Sequence, residues 1–168
     1  MQSRQGKKLT MIVCSIYLIL LVWLILFKLA FRFEDIPRMR NVNWIPFAQS
    51  ALRNGKIDYS EIGYNALVFV PFGVYLMLLF PKLSLWKKIG LAAGLSLLFE
   101  SIQYLFSIGA SDLTDVLSNT VGAGVGLLLF FAVKGFCGEK TERIFNILGL
   151  TVEGLAIGLW ILLWWANR

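Results

Sequence analysis

Long apolar runs separated by short clusters of charge dominate this chain. Residues 9–27, 62–80 and 116–133 contain no charged side chain. Each run approaches the roughly 20 residues that an α-helix needs to cross a hydrocarbon core of about 30 Å. The pattern therefore predicts three transmembrane helices.

Two further runs, at 89–108 and 144–166, are equally long, but each contains one acid, Glu100 or Glu153. With these included, the chain is predicted to be an all-α integral membrane protein, a single domain built as a bundle of about five transmembrane helices. The predicted helices cover about residues 9–31, 62–80, 88–108, 112–134 and 144–166, with an extracellular loop at 32–61.

Composition agrees with a membrane protein. Hydrophobic residues make up 58% of the 168 residues and charged residues 15%, against roughly 45–50% and about 25% in soluble domains. The net charge of +6 comes from basic residues beside the apolar runs, where they meet anionic lipid head groups. Membrane lipids are therefore the expected partners, and nucleic acid is not. Cys14 and Cys137 lack metal-ligand spacing, so no metal and no cofactor is predicted.

Lysine and arginine positions indicate the orientation, because cytoplasmic loops carry an excess of them. With the N-terminus inside, the cytoplasmic side holds Arg4, Lys7, Lys8, Lys82, Lys87, Lys88, Lys134, Lys140 and Arg143. The short turn at 107–111, on the outside, has none. The loop at 32–61 also carries several basic residues, so the bias is small. The predicted orientation is N-terminus cytoplasmic and C-terminus extracellular.

Small residues four apart recur on three helices. The pairs are Gly90 and Gly94, Gly122 and Gly126, and Gly154 and Gly158. In lipid, such pairs allow the backbones of two helices to approach closely. Packing within the bundle and homodimerisation both remain open for them.

Polar residues follow one face of each of two neighbouring helices. The first face carries Ser96, Glu100, Gln103 and Ser107, and the second carries Asp112, Asp115 and Asn119, continuing to Gly122 and Gly126. Their spacing of three or four residues places each set on one side of its helix. Because the turn between the helices is short, Glu100, Gln103, Asp115 and Asn119 are predicted to converge near the outer surface.

Charged residues at membrane depth cost about 2.5–3.5 kcal/mol on insertion scales, so each is a functional candidate. Glu100 and Asp115 are candidate ligand-binding or catalytic residues, since neither has a lysine or arginine within a helical turn. A protonated or hydrogen-bonded packing role is the alternative. Asp112 follows Ser111 at a helix start, where a cap is as plausible as a ligand contact. Gln103 and Asn119 serve either a ligand or helix packing.

Pro71 lies inside the second helix, where its ring frees the carbonyl of Leu67 and predicts a kink near Gly73. Asn65 either satisfies the freed backbone or points into the polar site. The first loop contains an apolar segment at 43–47, which is either a re-entrant cover of that site or a plain interfacial loop. Glu153 has no assigned role.

Four motifs occur in order along the chain. They are Asn-x-x-Pro-Phe at Asn43, Pro46 and Phe47; Asn65 followed by Phe-x-Pro-x-Gly at Phe69, Pro71 and Gly73; Ser-x-x-x-Glu-x-x-Gln at Ser96, Glu100 and Gln103; and Asp-x-x-Asp-x-x-x-Asn-Thr-x-Gly at Asp112, Asp115, Asn119, Thr120 and Gly122. Over about residues 17–130 the chain resembles the VanZ-like family. It departs from many relatives at Thr114, where they have a third acid, and at Gly109-Ala110-Ser111, where they have an arginine.

The resemblance implies an envelope membrane protein of Gram-positive bacteria, linked to resistance to the lipoglycopeptide teicoplanin. Asn43 and Asn65 are further candidate ligand-binding residues, and structural roles are expected for Pro46, Pro71, Gly73, Gly122 and Gly126. The expected function is non-enzymatic: an outward polar pocket binds a lipid head group, a lipid-linked cell-wall precursor or the antibiotic.

Two alternatives remain. One is an intramembrane enzyme acting on a lipid or lipid-linked glycan, with Glu100 and Asp115 as acid and base, although the chain has no histidine and no known hydrolase motif. The other is a small proton-linked transporter, which would need a homodimer.

Overall fold

Helices account for most of the chain in the computed structural model, which describes residues 4–27, 39–47, 52–53, 56–57 and 59–166. The helices in this part are α1 Arg4–Leu26, α2 Tyr59–Leu79, α3 Leu85–Phe106, α4 Leu113–Cys137 and α5 Thr141–Ala166, with a 3-10 turn at Gly138–Lys140 between the last two. The strands are β1 Met39–Asn43, β2 Leu52–Arg53, β3 Lys56–Ile57 and β4 Ile108–Asp112.

Four helical segments of the described part are long and apolar enough to cross a membrane. The last of them, Leu113–Ala166, contains both α4 and α5. The prediction of a helical membrane protein is confirmed, whereas the count of five crossings stays a prediction. Helix α1 begins at Arg4, before the apolar run, because basic residues readily extend a helix beyond the hydrocarbon core. The predicted end of this helix, at 28–31, lies outside the described residues.

Contacts between distant residues give the helix directions. Thr10 accepts a hydrogen bond from Asn146 Nδ2 at 3.0 Å, and Trp23 contacts Trp160 edge-on at 6.1 Å, so α1 and α5 run parallel. Phe130 stacks on Phe145 with ring centroids 6.1 Å apart, beside the turn that reverses the chain from α4 to α5.

Helices α2 and α4 are packed backbone to backbone. Side-chain atoms added at Gly122 and Gly126 would overlap the carbonyl oxygens of Ala66 and Val70, and one added at Gly73 would overlap that of Ala123. Packing within the bundle is thus confirmed for Gly122 and Gly126.

The other two glycine pairs make no close backbone contact with the part of the chain that the structure describes. A Cβ at Gly90, Gly94, Gly154 or Gly158 would meet no atom of the described structure within 4 Å. The predicted close packing is therefore not found for these four among the described residues, and Gly90 and Gly94 instead line an open pocket between α3 and helices α1 and α2. Homodimerisation through them stays a prediction.

A tyrosine from α1 meets the backbone beside Pro71. The Tyr17 hydroxyl donates a hydrogen bond to the carbonyl of Val68 at 2.8 Å. Helix α2 continues through Pro71 to Leu79. Tyr17 therefore ties α1 to the carbonyl next to that of Leu67, which Pro71 leaves without its helical partner.

The segment after α3 is a strand, which corrects the predicted tight turn at 107–111. Ser107 adopts left-handed dihedral angles (φ 57°, ψ 37°) and ends α3, and β4 then pairs in parallel with β1. The register sets Met39 opposite Ile108 and Asn43 opposite Asp112. Non-helical backbone at membrane depth must satisfy its polar groups inside the protein, and β1 supplies the partners. A second pair, β2 with β3, is antiparallel.

Candidate functional site

The β1–β4 ladder brings the motif at 43–47 onto the start of α4. Asn43 Nδ2 donates to Asp112 Oδ1 at 3.3 Å, and the backbone N–H of Phe47 donates to Thr114 Oγ1 at 3.0 Å. Pro46 lies in the turn between these anchors, and Phe47 has a left-handed φ of 60°. We call residues 43–47 the covering segment because they lie over the start of α4; a re-entrant cover and a plain interfacial loop both stay predictions.

Asp112 is the N-cap of α4, which confirms the structural role that its position suggested. It has extended dihedral angles, and its Oδ1 accepts the backbone N–H of Thr114 at 2.8 Å. The same oxygen accepts the bond from Asn43, so one carboxylate both caps the helix and holds the covering segment.

Glu100 is fixed against β4 by two hydrogen bonds. Its Oε2 accepts the backbone N–H of Asp112 at 2.9 Å, and its backbone carbonyl accepts the hydroxyl of Ser111 at 2.7 Å. The side chain is only 5% exposed. A carboxylate that accepts a backbone N–H is held in one orientation, so Glu100 is a rigid acceptor rather than a mobile surface charge.

A pocket of about 480 Å³ opens beside these carboxylates. We call it the Glu100 pocket; its walls include Val42, Trp44, Leu97, Glu100, Leu105 and Asp112. Leu97 and Leu105 are also exposed on the outer face of α3, and Trp44 is 75% exposed. The pocket surface is thus mostly apolar but includes two acids, a lining suited to an amphiphilic molecule.

Asp115 and Asn65 form a separate pair. Asn65 Nδ2 donates to Asp115 Oδ1 at 2.6 Å, linking α2 to α4. Asn65 therefore bonds a candidate carboxylate of α4, and its ligand-binding role stays a prediction. Neither residue is among those lining the Glu100 pocket.

The two amides also make separate contacts. Asn119 Nδ2 donates to Ser96 Oγ at 2.8 Å, joining α4 to α3. Gln103 Nε2 donates to the carbonyl of Ile25 at 3.1 Å, because the last carbonyls of α1 have no partner within their own helix. The four side chains predicted to converge are thus distributed over contacts with different elements.

Two oxygens of these amides are buried without a hydrogen-bond partner in the described part of the chain, Gln103 Oε1 and Asn119 Oδ1. Within the same part, no group of three or more His, Cys, Asp and Glu residues is placed to hold a metal ion. Because neither Gln103 nor Asn119 lines the Glu100 pocket, these two oxygens are not available to a ligand held there.

Thr114 and Ser111 are site residues that sequence reasoning missed. Thr114 appeared only as a departure from relatives that have an acid there, yet its buried hydroxyl anchors the covering segment. An acid at this position, as in many relatives, could also accept the Phe47 N–H. The presence of an acceptor side chain at position 114 could therefore have indicated this contact. Ser111 bonds a backbone carbonyl, and no spacing rule predicts such a contact.

We expect Asp112→Ala to destabilise the protein by about 1–2 kcal/mol, because α4 loses its cap and Asn43 its partner. Asp112→Asn should melt within a few degrees of wild type, since its amide oxygen can still accept both bonds. Thermal melting of the detergent-solubilised proteins measures the difference. Equal melting temperatures for the alanine variant and wild type would contradict this role.

Comparisons with known proteins agree with these motifs. The family model described as VanZ/LLP1 matches residues 14–134. The chain is 34% identical over 148 residues to "Protein VanZ" of Enterococcus faecium, an alignment that covers 86% of this chain and 88% of that protein. None of the solved structures matches it significantly. With the family model spanning most of the chain and a relative matched along nearly its whole length, this protein is a member of the VanZ/LLP1 family.

Proposed function

We propose that this protein acts in the bacterial cell envelope by holding an amphiphilic ligand in the Glu100 pocket, and that it lowers susceptibility to teicoplanin. The ligand is a lipid head group, a lipid-linked wall precursor or the lipoglycopeptide itself. The observation that carries the proposal is the presence of two buried carboxylates, Glu100 and Asp112, in the lining of a pocket whose surface is mostly apolar.

The chemistry of the pocket selects the ligand class. Glu100 and Asp112 offer acceptor oxygens, which bind sugar hydroxyls and amide N–H groups. Leu97 and Leu105 extend the apolar wall along the exposed face of α3, where an acyl chain can lie in the bilayer. Molecules with a donor-rich head and a lipid tail satisfy both parts at once.

The link to teicoplanin is supported by the family. The family takes its name from a protein associated with reduced susceptibility to that antibiotic. The relative in Enterococcus faecium bears the name VanZ. The proposal needs no catalytic step. Glu100 lines the pocket and Asp115 does not, so the arrangement gives no support to an acid–base pair around one reacting bond. An enzyme or a proton-linked transporter remains the alternative.

A cell-based assay tests the proposal. Wild type, Glu100→Gln and an empty vector are expressed at matched membrane levels in a sensitive Gram-positive host. We expect wild type to protect against teicoplanin more than against vancomycin, and Glu100→Gln to lose the protection. If wild type protects no better than the empty vector, the proposed function is wrong. Protection retained in full by Glu100→Gln would remove the pocket from it.

We also propose that the chain crosses the membrane five times and that the Glu100 pocket faces the outside of the cell. The carboxyl end of α3 and the first residues of α2 and α4 lie at the end of the bundle with the β1–β4 pair, and the basic residues Lys82 and Lys140 lie beyond the other end. The positive-inside tendency then sets the N-terminus in the cytoplasm.

Cysteine labelling tests this orientation. Ser60 and Ser84 are exposed at opposite ends of α2 and α3, whereas Ser111 is buried and unsuitable. In a background with Cys14→Ser and Cys137→Ser, we expect a membrane-impermeant maleimide added to intact cells to label Ser60→Cys and not Ser84→Cys. The reverse pattern would show that the pocket faces the cytoplasm.

A further inference from the structure

Glu153 forms a second buried polar site, away from the Glu100 pocket. It lies in the middle of α5 and is only 6% exposed. The hydroxyl of Tyr75 donates a hydrogen bond to its Oε1 at 3.1 Å. Its other oxygen, Oε2, is buried and has no hydrogen-bond partner among the described residues.

Neighbouring residues leave room for the Tyr75–Glu153 hydrogen bond and pack against it. A Cβ at Gly149 would lie 2.6 Å from the Tyr75 hydroxyl and 3.6 Å from Glu153 Oε1, so the glycine makes room for the bond. The Tyr75 ring packs on that of Tyr17 with centroids 5.4 Å apart. Both tyrosines are buried. The Tyr75–Glu153 pair is thus a built feature and not a chance surface contact.

A cavity of about 140 Å³ adjoins the pair, and Glu153, Tyr75 and Tyr17 line it together with apolar residues of α2, α4 and α5. No lysine or arginine is among the described residues that line it. The titratable groups that face Glu153 are Tyr75 on α2 and Cys14 and Tyr17 on α1; α4 contributes Leu129 to the lining. The cavity exceeds the roughly 10–15 Å³ that one water molecule needs.

We propose that Glu153, with Tyr75 and Tyr17, is an internal proton- and water-binding site. An ionised carboxylate with a single hydrogen bond is costly in apolar surroundings, and without a nearby cation the neutral acid is the stable form. The acid then keeps the Tyr75 bond at Oε1 and carries its proton on Oε2, from which it donates to a water molecule in the cavity. The tyrosine hydroxyls supply the further partners that a buried water needs.

This site stands apart from the proposed function. Glu153 lies beyond residues 14–134, which the family model matches, and no residue lining the Glu100 pocket lines its cavity. Loss of teicoplanin protection and loss of this site can therefore be observed independently.

Infrared spectroscopy of the protein in lipid nanodiscs at neutral pH tests the proposal. We expect a C=O stretching band of a protonated carboxylic acid that disappears in Glu153→Gln and persists in the control Glu100→Gln. In Tyr75→Phe the band should move to higher frequency, because the bond to Oε1 is lost. In heavy water it should shift, because cavity water exchanges the proton.

Two results would overturn the proposal. Identical carboxylic-acid bands in wild type and Glu153→Gln would show that Glu153 is ionised, and a band that does not respond to heavy water would exclude bound water. If Glu153→Gln does not fold, labelling of wild type replaces it. A hydrophobic carbodiimide should then modify Glu153, as read by peptide mass spectrometry, and a missing adduct would contradict a neutral acid there.

Discussion

Gly126→Ala is expected to destabilise the protein by about 3 kcal/mol, at the upper end of the cost of overpacking a core. The added methyl group would overlap the carbonyl oxygen of Val70 and lie 3.1 Å from Cα of Gly73. Backbone atoms cannot rotate away as a side chain can, so α2 and α4 must separate. The motif residues on these helices, including Asn65 and Asp115, would then lose their contact.

Two matched controls separate packing from the general effect of replacing glycine. Alanine at Gly94 or Gly154 meets no described atom within 4 Å, and alanine is the better helix former by about 1 kcal/mol. Both variants should therefore melt at or above the wild-type temperature. The measurement is the fraction of solubilised protein that stays monodisperse after heating. If Gly126→Ala melted at the same temperature as the two control variants, the described packing of α2 on α4 would be contradicted.

Glu100→Gln is expected to weaken ligand binding by roughly ten- to a hundredfold, since a hydrogen bond to a charged group contributes about 1.5–3 kcal/mol. The fold should be retained. The amide oxygen of glutamine can still accept the N–H of Asp112, which the carboxylate accepts at 2.9 Å. Titration of teicoplanin against the protein in nanodiscs measures the affinity.

Glu100→Leu is the matched control for this second variant. It removes the acceptor as well as the charge, so the Asp112 N–H is left buried without its partner. The free energy of unfolding should therefore fall by about 1–3 kcal/mol. We therefore expect Glu100→Gln to lose ligand affinity but keep its stability, and Glu100→Leu to lose both affinity and stability. A glutamine variant that binds as tightly as wild type would show that the charge of Glu100 takes no part in recognition.

The helices and their packing glycines were predictable because lipid imposes a strong pattern. Apolar runs of roughly 20 residues identify the transmembrane helices. Small residues four apart, at Ser118, Gly122 and Gly126, identify a face on which another helix can approach closely. The same spacing at Gly90 and Gly94 lines an open pocket and makes no close backbone contact among the described residues. Spacing shows which residues share a face, but it does not name the helix that covers the face.

The β1–β4 pairing lay beyond sequence reasoning. It joins Met39 to Ile108 across about 70 residues through backbone hydrogen bonds, which every residue can make. The partners of Gln103 and Glu153 were hidden for a related reason. Each belongs to a contact with a helix distant in the sequence, at the carbonyl of Ile25 and the hydroxyl of Tyr75.

The central claim, that the Glu100 pocket holds an amphiphile, is tested most directly by site-specific photo-crosslinking in living cells. A benzophenone amino acid replaces Trp44, which lines the pocket and is 75% exposed, or Trp86, which is 84% exposed at the start of α3 and serves as the control. We predict a lipid, wall-precursor or teicoplanin adduct at position 44 that disappears with Glu100→Gln and is absent at position 86. Equal adducts at both positions, unaffected by Glu100→Gln, would contradict the claim.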